Sequence, residues 1–154
     1  MCVLTLITAF TAVIVAIVAI QQFLLAKEKF KLDLFEKRHA VFKGVELFLY
    51  EIVINRKVTI ENIQKYNLDT QTARFIFDED VSKFIEDVRS KARDLKRLKE
   101  NMEELPQGEE RHKIFKQFEA LQMELYDMDQ TLVLKFSPYL KFRRWKHGLI
   151  WELR

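Results

Sequence analysis

Residues 3–25 read VLTLITAFTAVIVAIVAIQQFLL, twenty-three positions without one charged side chain. A helix needs about 20 apolar residues to cross a ~30 Å hydrocarbon core, so this run is long enough to span with some tilt. Fourteen of the twenty-three are Val, Leu, Ile or Phe, each contributing about 0.3 to 0.6 kcal/mol of insertion near the helix centre. Gln21 and Gln22 subtract from this total but lie near one end. A soluble core helix and a cleaved signal peptide both fit the run less well. Core helices of soluble proteins rarely run so long without a charge. A cleaved signal peptide needs a basic stretch before the apolar run and a small-x-small site after it, and neither is present. Residues 1–26 are therefore expected to form a transmembrane anchor.

The flanks set the orientation. Lys27, Lys29, Lys31, Lys37 and Arg38 follow the run closely, whereas only the α-amino group precedes it. The excess of cations on one side predicts a cytoplasmic C-terminal domain and an external N-terminus. The run also has a face. At 100° per residue, Thr5, Thr8, Ala9, Ala12, Ala16 and Ala19 fall within one arc of about 100°. Small side chains let helices approach closely, and Thr8, Ala12 and Ala16 have small-xxx-small spacing. Ordinary Ala and Thr usage in lipid produces the same pattern, so self-association through the span stays open beside it.

All 26 basic and 23 acidic residues lie between Lys27 and Arg154, a net charge of only +3. So near a balance argues against a nucleic-acid partner, which selects a basic excess. Three Gly and two Pro are few for 154 residues and favour long helices. The lone cysteine, Cys2, cannot make a disulfide within the chain.

Three long helices are legible after the span. The first, over 27–55, is expected to continue the transmembrane helix, with Leu34, Val41 and Phe48 and then Phe35, Phe42 and Leu49 recurring every seven residues. Residues 56–78 are less regular, with Thr59 suited to cap one short helix through Tyr66 and Asp69 or Thr70 another through Phe75. Asp78 caps a second long helix with the stripe Val81, Ile85, Val88, Ala92, Leu95 and Leu98. Pro106-Gln107-Gly108 ends it and forces an antiparallel return. The third helix is expected over 109–136. The predicted fold is all-α: one transmembrane helix running into an antiparallel, coiled-coil-like three-helix bundle (27–136), followed by a short basic-aromatic C-terminal helix (137–154).

The stretches KLDLFEKRHAVF (31–42), TARFIFDEDV (72–81) and FSPYLKF (136–142) resemble a family of uncharacterised bacterial single-pass membrane proteins. That resemblance implies an N-terminal span, a helical cytoplasmic domain and a bacterial inner membrane. It implies no activity and no functional residues.

Chemical signatures are sparse. Glu36 with His39 and Glu109 with His112 repeat a Glu-x-x-His pattern, half of a di-iron carboxylate site if the helices face each other. A full site needs carboxylates from two more helices, and Glu109 is equally a first-turn acid. No metal, cofactor, small-molecule substrate or catalytic group is assigned. Arg38 occupies a seam position between Leu34 and Val41 and reads as a side chain snorkelling near the membrane surface.

The tail, SPYLKFRRWKHGLIWELR (137–154), holds five Lys or Arg, one Glu and both tryptophans. Tyr139, Lys141, Arg143, Arg144, Trp145, Lys146 and Trp151 suit an anionic lipid surface or an acidic partner. Docking of the aromatics on the bundle is favoured instead, because an up-down path would leave the tail far from the bilayer. The expected function is a non-enzymatic, membrane-anchored interaction module that self-associates or binds a cytoplasmic protein. The alternative is an oligomeric effector that perturbs the bilayer.

Overall fold

The apolar run and the residues after it form one uninterrupted helix. In this computed structural model, which describes residues 2–141 and side chains from Ile7 onward, α1 is Cys2–Val53. Four more helices follow: α2 (Ile60–Thr70), α3 (Ala73–Ile76), α4 (Glu79–Glu104) and α5 (Glu109–Leu140). No strand occurs among the described residues. The all-α class, with a long apolar N-terminal helix leading into packed helices, is thus as the sequence predicts. The chain divides into two units, one up to Lys37 and one from Arg38 onward.

In the first unit every residue from Ile7 to Phe30 is exposed. In the second, α1 changes character. Val41, Val45, Phe48, Leu49 and Ile52 are buried and join Val81, Ile85, Val88, Leu95, Leu125, Leu132 and Phe136 in one core. Their i, i+3, i+4, i+7 spacing turns one stripe of each helix inward.

The path through this core differs from an up-down bundle at one step. After α1, Arg56 takes the left-handed region at φ 51, and the Lys57 N–H closes on the Glu51 carbonyl at 3.0 Å. Then α2 runs back along α1. Tyr66 stacks on Phe48 with centroids 4.3 Å apart, and Asp69 lies against Gly44, where an added Cβ would sit 2.7 Å from that of Asp69. The return leg ends beside Arg38, whose Nε donates to the Ile76 carbonyl at 2.9 Å. At 1.5 Å per residue, Ile60–Ile76 covers about 24 Å and Arg38–Val53 about 23 Å, so the two legs match. Hence α4 starts where α1 enters the domain and runs parallel to it, while α5 returns antiparallel to both. Lys91 pairs with Glu124 and Lys135 with Asp80 at 2.8 Å, which fixes the α4–α5 direction.

Caps account for the breaks. The Thr59 hydroxyl accepts from Asn62 N at 3.2 Å, and Asp78 Oδ1 accepts from Val81 N at 3.1 Å, as expected of both residues. Asp69 and Thr70 cap nothing. Instead α2 extends to Thr70, which is buried and donates its hydroxyl to the Tyr66 carbonyl at 2.7 Å. The third long helix does not stop at Phe136 either. It passes through Ser137 and Pro138 to Leu140. Pro138 has no N–H to give the Leu134 carbonyl, and the Ser137 hydroxyl bonds that oxygen at 3.4 Å.

Candidate functional site

Three places bear on function. The first is the apolar stretch itself. α1 is one helix long and apolar enough to cross a membrane. Thr8, Ala9, Ala12, Ala16 and Ala19 lie on it and are exposed. Thr5 is helical in backbone, but its side chain is outside the described residues. The Thr11 hydroxyl donates to the Thr8 carbonyl at 2.9 Å, so that donor is satisfied within the helix.

The second is a clasp where α1, the α3–α4 junction and α5 meet. Arg38 is held by the Ile76 carbonyl and lies over two rings, Phe77 at 5.9 Å and Tyr139 at 5.3 Å. Phe136 meets Phe42, Phe77 and Phe84 edge-on at 5.5, 5.2 and 6.4 Å. The Tyr139 hydroxyl donates to Asp78 Oδ2. Asp78 therefore does two jobs, capping α4 with one oxygen and holding α5 with the other. The Tyr139 bond, then the Val81 N–H, hold its carboxyl below the usual carboxylate range. The same bond raises the Tyr139 phenol. Arg38 is thus a structural cation within the domain, not a snorkelling one. Its seam position is the signal in the sequence, because a cation there must find acceptors or rings.

The third is a polar cleft of about 360 Å³ where α2, α3 and α4 meet, lined by Asn67, Thr70, Arg74, Ser82 and Arg89 among others. Arg89 pairs with Glu86 at 2.6 Å and lies 6.0 Å over the Tyr66 ring. Burial pushes the Tyr66 phenol up, and its hydroxyl donates to the Ile85 carbonyl at 2.8 Å. Asn67 Oδ1 and Arg89 Nε have no protein partner. No motif in the sequence marks this cleft, whose residues come from α2, α3 and α4 at unrelated spacings.

The structure separates the two Glu-x-x-His pairs. His39 follows the clasp residue Arg38, whereas His112 lies on α5 some 27 residues before Tyr139, about 40 Å along the helix. No group of three or more metal-capable side chains occurs among the described residues. Of the tail residues singled out, Tyr139 belongs to α5 and to the clasp, and Lys141 is its exposed C-cap. Arg143, Arg144, Trp145, Lys146 and Trp151, with the expected C-terminal helix, lie outside the described residues. No family model, curated protein or solved structure matches the chain.

Proposed function

We propose that the chain is a non-enzymatic, single-pass membrane protein whose helical domain is an interaction module in the cytoplasm of a bacterium, with the N-terminus outside. One observation carries this reading. From Ile7 to Ala26 the helix bears no charge and every side chain is exposed. Each large apolar side chain left in water forgoes about 1.5 to 3 kcal/mol, so such a helix is at home only in apolar surroundings. The lysines that follow it supply the orientation.

The module acts by association. The arc of Thr8, Ala9, Ala12, Ala16 and Ala19 offers a close-approach face in the bilayer. In the helical domain, Tyr50 of α1, Ile54 just after it, and Met123 and Tyr126 of α5 remain exposed, and Val53, Gln122, Met123 and Tyr126 line one groove. The proposed outcome is a homo-oligomer. Its test is the mass of the detergent-solubilised full chain by light scattering, beside Ala12→Leu. An oligomer that falls to monomer in Ala12→Leu supports assembly through the arc. A monomeric wild type sinks self-association and leaves a different protein as the partner.

A further inference from the structure

The cleft where α2, α3 and α4 meet gathers hydrogen-bond donors that the fold does not use. The Asn67 and Gln71 amides, the Ser82 hydroxyl and the Arg74 guanidinium line it. None of the four side chains has a hydrogen-bond or ion-pair partner among the described residues. Arg74 lies 4.6 Å over the Phe75 ring, which leaves its N–H groups unspent. The lining holds two arginines against one glutamate, Glu86, a surplus of one positive charge. We propose that this cleft binds the phosphate group of a small soluble ligand, with Arg74 and Arg89 as its charged donors. The proposal goes beyond the association reading above and holds whether or not α1 spans a membrane.

Arg89 is the strongest support. Its side chain is only 21% exposed, and its Nε is sealed from solvent without an acceptor. A buried charged group with an unmet donor costs stability, so packing alone does not explain an arginine here. Three contacts hold it in place. Nη1 donates to Glu86 at 2.6 Å, Nη2 donates to the buried Thr70 hydroxyl at 3.4 Å, and the guanidinium lies over Tyr66. Each terminal nitrogen carries a second N–H beyond the one so used. A cation fixed before the ligand arrives loses little freedom on binding. Phosphate suits the set because it accepts from several directions at once, whereas a carboxylate accepts in one plane. The volume, about 360 Å³, lies at the small end of the ~300 to 1,000 Å³ range of ligand pockets.

The full-length chain in non-ionic detergent at neutral pH is titrated with inorganic phosphate, and the phosphorus NMR linewidth is read at constant ionic strength. Saturable broadening is expected in the wild type. Arg74→Gln should weaken it by about tenfold or more, as loss of a charge-assisted donor predicts. Arg89→Lys keeps the charge but not the fork and should weaken it as well. Circular dichroism melts without phosphate show whether each variant is folded, and the exposed Arg74 decides alone if Arg89→Lys is not. Arg97→Gln, on α4 outside the cleft, should leave the affinity unchanged. Absence of saturable broadening in the wild type overturns the proposal. So does an unaltered affinity in Arg74→Gln, or an equal loss in Arg97→Gln. Glycerol phosphate should displace the probe. Displacement by phosphatidic acid in mixed micelles, and not by glycerol phosphate, would make the ligand a lipid headgroup and overturn a soluble one.

Discussion

Asp78 shows how one carboxylate ties sequence-distant segments together. It caps α4 through Val81 N and accepts the Tyr139 hydroxyl from the far end of α5. Its folded-state acidity is depressed, so its contribution is present above about pH 4 and is lost as the pH falls through the folded value. Tyr139 is shifted the other way, so its contribution holds below about pH 10 and is lost as the pH rises through its raised value. Asn at position 78 keeps a capping oxygen but not the charge. The stability difference between wild type and Asp78→Asn should therefore be flat between about pH 5 and 9 and shrink on both sides. Urea midpoints across that range check this, and a difference that grows in acid would exclude the bond as its source. At this scale the sequence shows the cap, since Asp before a helix announces itself. The bond to Tyr139, some sixty residues away, leaves no local trace.

At the scale of elements, legibility depends on whether the information is local. Apolar spacing locates the domain part of α1 and α4, Pro106-Gln107-Gly108 marks the turn before α5, and the capping residues Thr59 and Asp78 place two helix starts. The direction of α4 is not local. It depends on residues 56–78 being a return leg, which follows from two short helices whose combined length matches the first leg. An up-down path brings the two histidine motifs together and puts the end of α5 far from Arg38, and the return leg reverses both. Gly44 is the residue that lets α2 come back so close. Alanine there would gain up to about 1 kcal/mol of helix propensity, but its Cβ would sit 2.7 Å from the Asp69 Cβ. Gly44→Ala should therefore lower the melting temperature. Gly108→Ala, with nothing within 4 Å of the added carbon, should move it little. Thermal unfolding of both variants makes the comparison, and a more stable Gly44→Ala would mean that α2 is not packed this tightly.

For the whole molecule, the proposed orientation is testable without disturbing any of this, because Cys2 is the only cysteine. A membrane-impermeant maleimide should label it on intact cells, and Ile7→Cys in a Cys2→Ser background should be shielded. Labelling of Cys2 only after lysis would invert the topology. The clasp also has a consequence in time. Ribosomes make α1 first, and the stripe Val41, Val45, Phe48, Leu49 and Ile52 has no complete cover until Phe136 and Tyr139 exist. Arg38 and Tyr139 are 101 residues apart, which at 5 to 20 residues per second is roughly 5 to 20 seconds of synthesis. For that interval the nascent chain displays an apolar seam that the finished protein conceals.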